Sequence, residues 1–352
     1  MKYVMKGNPE TGKLNLPHLI VAQSYNCDYA CIGCNAVGNG ESINPRRMLK
    51  IVDDWRAYNM GDAIFHLKGG EPLMFEGIWD TVNHAACKGL YLFMTTSGSK
   101  VDQEAVKRLQ GVYDKTDGQV IVSLDGSREE INALSRQRGS FETARSAIET
   151  LVESGVPVAW NYRVHRGNQE DIGDAIRLAN ELGVEQFNVL YHAQIRNRNG
   201  NLEVPDLEVI LPQLERARNN RARDMLEWSV VDMIQRLGSG KYDCNGCTAG
   251  FRGFAYITPD GNVYSCPNTV SEKHRLGTID DSFENLFENG KNLREVHKER
   301  LVCKGELEAA TKDKEYQRKL DEEEELIKEK IAKTETTSEE REPIAVCFNR
   351  NY

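Results

Sequence analysis

Between residues 18 and 190 short apolar runs alternate regularly with helical patterns, and this alternation restricts the fold more than any other feature. Candidate strands are Leu19–Gln23, Ala63–Leu67, Leu90–Thr95, Gln119–Leu124, Val158–Val164 and Gln186–Leu190. Helical stretches fall between them near residues 44–59, 76–88, 102–112, 140–154 and 170–182. Strands separated by a helix lie parallel, because the crossover returns the chain to the same end of the sheet. A Leu-, Arg- and Met-rich stretch at 206–236 is expected to be the helix that closes the sixth unit. A full eight-fold barrel takes roughly 250 residues. Six βα units over this length fit a partial (β/α)6 TIM barrel, an α/β fold.

In such barrels chemistry collects at the C-terminal ends of the strands, and here each unusual polar motif follows a strand. Cys27-Asp28-Tyr29-Ala30-Cys31-Ile32-Gly33-Cys34 follows the first, behind the buried run Leu19–Ala22. Gly69-Gly70-Glu71-Pro72 follows the second, Thr95-Thr96-Ser97-Gly98 the third and Ser123-Leu124-Asp125-Gly126 the fourth. Three thiols separated by three and then two residues let one loop wrap a corner of a metal cluster. The number is informative. Structural zinc and electron-transfer clusters close with four protein ligands, so three leave a coordination position for water, substrate or cofactor. A zinc site completed elsewhere in the chain is the alternative.

The bulk properties exclude several classes. A net charge of −9 argues against nucleic-acid binding, which needs a basic face. No run of 18 apolar residues occurs, so no transmembrane helix is expected, and Met1–Lys13 lacks the apolar centre of a signal peptide. Nine cysteines, odd in number and clustered, read as metal ligation in a reducing compartment, hence a cytoplasmic protein.

After residue 240 the pattern changes. Cys244-Asn245-Gly246-Cys247 precedes two alternating β runs joined by Pro259-Asp260-Gly261, a hairpin turn that brings Cys266 back towards Cys247. From 304 to 342 the chain is highly charged, with Asp321-Glu322-Glu323-Glu324-Glu325, and reads as a solvated helix or a partly disordered arm. The expected division is an N-terminal segment 1–15, a barrel 16–236, a small cysteine-bearing domain 237–305, and a charged arm and tail 306–352.

The CxxxCxxC spacing of Cys27, Cys31 and Cys34, with the strand-end motifs downstream, resembles the radical SAM enzymes. The resemblance implies a 4Fe–4S cluster on these three cysteines, with S-adenosylmethionine (SAM) chelating the open iron and giving a 5′-deoxyadenosyl radical on reduction. Where the family has an aromatic residue before the third cysteine, this chain has Gly33. By the same resemblance Gly69, Gly70, Glu71 and Pro72 receive the methionine amine of SAM. Ser97, Ser123 and Asp125 are short polar groups suited to ribose or carboxylate. Arg136 matches the segment that supplies an arginine to the SAM carboxylate in sulfatase-maturase-type enzymes. Asn161 and Arg163, at the end of the fifth strand, are further candidates.

The stretch from Cys247 to Cys266 resembles the opening of the SPASM/twitch extension, which carries auxiliary iron–sulfur clusters. The closing CxxCx5CxxxC of the full pattern is missing, so one auxiliary 4Fe–4S cluster is implied, on Cys244, Cys247, Cys266 and Cys303, with Cys347 the alternative fourth ligand. His66, His165 and His192 fall near strand ends as candidate substrate contacts, and Cys87 reads as a core thiol. The resemblance points to modification of a ribosomally made peptide or protein side chain. A sugar-like or other small-molecule substrate, dehydrogenated or decarboxylated, is the alternative, and a non-catalytic zinc or iron–sulfur scaffold the reading of another class. A reductant such as flavodoxin or ferredoxin is implied. With fifteen or so residues before the first strand, leader-peptide recognition is expected from a separate protein, or from the barrel mouth and the charged arm.

Overall fold

The computed structural model describes residues 17–34, 36, 40–191, 195–197, 200–203, 205–219, 226–227, 254–267, 270–291 and the single positions 318, 325 and 329. The six expected strands form β1 His18–Ala22, β2 Ile64–Lys68, β3 Tyr91–Thr96, β4 Gly118–Ser123, β5 Val158–Val164 and β6 Gln186–Tyr191. They pair in sequence order, all parallel. The crossovers carry α1 Pro45–Tyr58, α2 Ile78–Cys87, α3 Gln103–Tyr113, the short α4 Glu129–Asn132 with α5 Ser140–Glu153, and α6 Ile172–Glu181. Local signals set the helix starts. Asn44 caps α1 by accepting from Arg46 N–H at 2.9 Å ahead of Pro45, and Asp102 caps α3 by accepting from Ala105 N–H at 2.8 Å.

Both faces of the sheet are buried, which is why its strands read as nearly continuous apolar runs. Alternate residues Leu19, Val21, Phe65, Leu67, Leu92, Met94, Val120, Val122, Trp160 and Tyr162 pack against the helices in one core. The other face is the barrel lumen. Ile64, Phe93, Ile121 and Ala159 form an apolar layer there. Beside it His18 Nε2 lies 2.9 Å from His66 Nδ1, and His66 Nε2 2.7 Å from Thr95 Oγ1. His66 therefore works as a buried structural hydrogen-bonding group. Burial, with Lys68 nearby, lowers the His18 pKa to about 3, and burial followed by the charges of His18 and Lys68 puts His66 well below its ordinary value. Unfolded histidine titrates near pH 6.5, so on acidification the unfolded chain takes up protons first. This stabilising contribution is complete above about pH 7 and is lost as pH falls from about 6.5 towards the lowered folded values. The urea midpoint is expected to be lower at pH 5 than at pH 7; an unchanged midpoint would contradict this.

Past β6 the hairpin β7 Ile195–Asn197 and β8 Gly200–Leu202 precedes α7 Leu207–Asn219. The helix expected over 206–236 is corrected here. Leu226–Glu227 form β9, which pairs in parallel with Phe187 and Asn188 of β6. The free N–H and C=O groups along an open sheet edge outweigh the helix propensity of that segment.

The hairpin expected at Pro259-Asp260-Gly261 joins β10 Phe254–Ile257 to β11 Asn262–Tyr264, and β12 Arg275–Thr278 follows antiparallel. Gly261 takes φ 83° in the turn, a backbone region that suits glycine. These strands extend the barrel sheet itself. β10 runs parallel to β1 in the register Leu19–Ala255 and Val21–Ile257, giving the ten-stranded order β12-β11-β10-β1-β2-β3-β4-β5-β6-β9.

The last described helix, α8 Phe283–Asn289, docks on α1. The Phe283 ring lies 5.1 Å from Trp55 and 5.8 Å from Tyr58, and Arg47 pairs with Asp280. Phe283→Ala is expected to cost about 3 kcal/mol, the usual scale for deleting a buried phenylalanine. Urea unfolding should then show one transition at lower midpoint, since the C-terminal strands and the barrel share a sheet and a core. Two separate transitions would contradict that coupling.

Candidate functional site

The segment leaving β1 is fastened to the end of β2 before it reaches the cysteines. Gly70 N–H donates to Ser24 O at 2.8 Å and Glu71 N–H to Asn26 O at 2.7 Å. The paired glycines make this approach feasible. A Cβ at Gly69, where φ is 137°, would stand 2.3 Å from Ser24 O, and one at Gly70 2.0 Å from Asn26 O. The family resemblance assigns this segment to the methionine amine of SAM; the structure adds a steric demand for glycine from the chain's own backbone. Gly70→Ala is expected to push the two segments apart, at a cost of about 1–3 kcal/mol, read as a lowered thermal midpoint.

Glu71 is buried and directed at β3. It accepts from Thr96 Oγ1 and Ser97 Oγ, both at 2.7 Å, from Ser97 N–H at 2.8 Å and from Leu73 N–H at 3.3 Å. Burial raises its pKa, and these donors work against the rise. Pro72 opens a 3-10 turn, Pro72–Met74. Ser97 Oγ lies 3.0 Å from Ser99 Oγ, which donates to Asp28 Oδ1 at 2.9 Å, and Lys100 Nζ stands 3.0 Å from Asp28. Asp28, inside the cysteine loop, is thus tied to the end of β3.

A second network holds the far side of the loop. Asp125, fully buried after β4, accepts from Ser135 Oγ at 2.8 Å and from Arg136 Nε and Nη2 at 2.8 and 3.2 Å. It also accepts from the Arg163 N–H at 3.0 Å and Nη2 at 3.1 Å. Burial alone would raise the Asp125 carboxyl, but the adjacent guanidiniums of Arg136 and Arg163 hold it well below the usual carboxylate range. Arg136, expected from the sequence to face a carboxylate of the cofactor, is placed on a carboxylate of the chain. Ser123 ends β4, nearly buried, opposite Asn161 of β5. Asn161 Oδ1 in turn accepts from Asn188 Nδ2 at 2.8 Å.

Between these networks the loop carries Cys27, Cys31 and Cys34, all half-buried and in no disulfide. Gly33 takes φ 72°, and Cys34 N–H returns to Cys31 O at 3.4 Å. Glycine at 33 permits that left-handed turn where a side chain would be strained. Burial pushes the Cys27 thiol up to about 11; the Tyr29 N–H opposes this, while Glu71, Cys34 and Cys31 add to it. Three crowded thiolates therefore need a compensating positive centre, and an iron–sulfur core bound here fits that need. Among the described residues no three Cys, His, Asp or Glu side chains converge as they would around a single ion.

Cys266 is buried just after β11 in a small group with Ile20, Ala22, Tyr256 and Tyr264, against which Tyr25 packs. Burial lowers the Lys68 ammonium to about 8 against the opposing influence of Cys34 and Cys266, which places both cysteines near the end of β2. Cys244, Cys247, Cys303, Cys347 and His192 lie outside the described residues. Cys87 ends α2 exposed, a correction to its reading as a core thiol: it falls on the solvent side, beyond Ala85 and Ala86. His165 is buried, with Nδ1 accepting from Gly167 N–H at 3.1 Å.

Ser135, Ser99 and Asn168 are not singled out by the sequence, and Thr96 only as part of a strand-end motif, though all brace the site. Asn168 Nδ2 donates to Asp125 O at 2.8 Å and to Arg163 O at 2.9 Å. One signal was available. Within Val158–Val164 the polar residues Asn161 and Arg163 fall on one face of an otherwise apolar strand, marking a barrel-facing side that must find partners.

Residues 23–179 match the family model of the radical SAM superfamily. The chain carries a radical SAM domain. It is 26% identical over 292 residues to a mycofactocin maturase of Mycolicibacterium smegmatis, covering 78% of this chain and 70% of that protein. A PqqA peptide cyclase of Rhizobium meliloti is 25% identical over 285 residues, 77% of this chain and 71% of its own. An AdoMet-dependent heme synthase of Methanosarcina barkeri is 27% identical over 276 residues, 72% and 77%. Among solved structures, native anSMEcpe with bound AdoMet superposes with a TM-score of 0.61 at 21% identity, over 79% of this chain and 82% of that one. Streptococcus suis SuiB does so with a TM-score of 0.64 at 14% identity, over 79% and 67%. At these identities the structures establish the fold that the radical SAM domain shares with them. Among the described residues no helix is long and apolar enough to cross a membrane.

Proposed function

We propose that the chain is a radical SAM oxidoreductase that modifies a ribosomally made peptide or a protein side chain. The observation that carries this reading is the three-cysteine loop at the C-terminal ends of parallel strands, clamped by the Gly69–Glu71 segment on one side and by the Asp125 network on the other. Cys27, Cys31 and Cys34 would hold a 4Fe–4S cluster, which when bound supplies the electron that cleaves SAM to a 5′-deoxyadenosyl radical. The protein's part is to place and enclose that chemistry. Gly69 to Pro72, Ser97, Ser123, Asp125 and Arg136 are assigned to the SAM-binding rim. In this assignment Glu71 and Asp125 act through the backbone and cations they position. Residues 237–305 are assigned to an auxiliary 4Fe–4S unit through Cys244, Cys247, Cys266 and Cys303.

Relatives named as a mycofactocin maturase and a PqqA peptide cyclase support a peptide substrate. A small-molecule substrate is the second reading, favoured by the relative named as a heme synthase. A flavodoxin or ferredoxin as reductant, a separate leader-recognition protein and a cytoplasmic location complete the proposal. The test is anaerobic incubation of reconstituted protein with SAM and dithionite, followed by assay for 5′-deoxyadenosine. Formation of 5′-deoxyadenosine supports the reading, and a mass change in an added precursor peptide selects the peptide substrate. Fully loaded protein that makes none, with or without peptide, would overturn it.

A further inference from the structure

The Asp125 network does more than fill space behind the cysteine loop. Arg163 Nη1 donates to Gly33 O at 3.3 Å and Nη2 to Ile32 O at 3.0 Å, while Nη2 also reaches Asp125 at 3.1 Å. Ile32 N–H donates to Ser135 O at 2.8 Å, and Ser135 Oγ returns to the same carboxylate. The two residues between Cys31 and Cys34 are thereby held through one N–H and two carbonyls. All three bonds trace back to Asp125. One carboxylate faces two guanidiniums, so the network keeps one uncompensated positive charge, and it lies against the loop. Arg163 is only 7% exposed, so water screens that charge weakly.

Resting on the reading above, we infer that Arg163 is a positioning residue that fixes the turn between Cys31 and Cys34 and raises the reduction potential of the cluster bound there. The physical reasons are two. A planar guanidinium spans two carbonyls and a carboxylate together, which a lysine ammonium does not. A fixed positive charge beside a cluster stabilises its reduced, more negative state, since cluster potentials follow local charge and hydrogen bonding.

The experiment compares the reconstituted full chain with Arg163→Gln and Arg163→Lys, measuring iron per chain and the midpoint potential by EPR-monitored titration with no SAM or substrate present. R163Q leaves Asp125 paired with Arg136 and Ser135, so the carboxylate does not become isolated. It is expected to load iron as the parent does and to titrate at a more negative potential. R163K keeps the charge but loses the fork, so its potential should shift less, while a chelator should remove its iron several-fold faster than from the parent. If R163Q does not fold, the R163K chelation rate decides. Parent-like potential in R163Q, or parent-like iron release in R163K, would overturn the inference. Parent protein that binds no cluster would instead overturn the functional reading on which it rests.

Discussion

Replacing Cys27, Cys31 and Cys34 together by alanine is expected to lower bound iron from about eight to about four per chain and to abolish 5′-deoxyadenosine formation from SAM. The expectation follows from the position of these thiols. They occupy a loop at the strand ends, fastened on one flank to Gly70 and Glu71 and on the other to Arg163 and Ser135. The loop's own bonds are made largely by backbone and by Asp28, so the triple variant should keep its fold and its thermal midpoint. The iron that remains would belong to the C-terminal cysteines, of which Cys266 lies buried within electrostatic reach of Lys68. Full retention of iron would remove the N-terminal loop as the ligand set. Complete loss would mean that the two sites do not load independently.

Asp125→Ala is expected to destabilise the protein by about 3–5 kcal/mol, because it leaves the Arg136 and Arg163 guanidiniums buried without their carboxylate. The thermal midpoint should fall on the order of 10 °C, at a few degrees per kcal/mol for a domain of this size. The pH dependence has a definite sign. The folded pKa of Asp125 is depressed, so its contribution is fully present above the unfolded value of about 3.9 and is lost only as pH falls below that, through the folded value. The difference in stability between parent and D125A should therefore be the same at pH 7 and pH 5. A difference that shrinks across that interval would mean that Asp125 is already protonating there. The buried histidines behave otherwise, since their contribution is lost within that same interval.

Much of the barrel was legible in the sequence because its strands are buried on both faces and its helices on one. Val158–Val164 was read to the residue, and the other five strands to within one residue at each end. Apolar periodicity reports burial directly, and the βα rhythm then fixes parallel pairing. The edges were less legible. Leu226–Glu227 read as helix because nothing local announces that a sheet edge is available for it. The addition of β10 to β1 was hidden for the same reason, as the pairing joins residues more than two hundred positions apart.

At the site, the sequence could state which chemical groups gather at the strand ends but not which of them bind one another. CxxxCxxC is a local pattern, and its chemistry follows from three thiols on one loop whatever surrounds them. Glu71 and Arg136 are different. Read along the chain, each is a polar residue awaiting a ligand; in the folded protein Glu71 is engaged by Thr96 and Ser97, and Arg136 by Asp125. Likewise the need for glycine at 69 and 70 arises from Ser24 and Asn26, more than forty residues earlier. The sequence alone determined the parallel α/β frame and the three-thiol loop, because hydrophobic period and short spacing are local quantities, and its motifs carried the resemblance to radical SAM proteins. Only the tertiary structure decided that Arg163 and Asp125 brace that loop and that the C-terminal hairpin joins the barrel sheet. Buried charges and open strand edges find their partners through space, and chain order does not encode that choice in any local pattern.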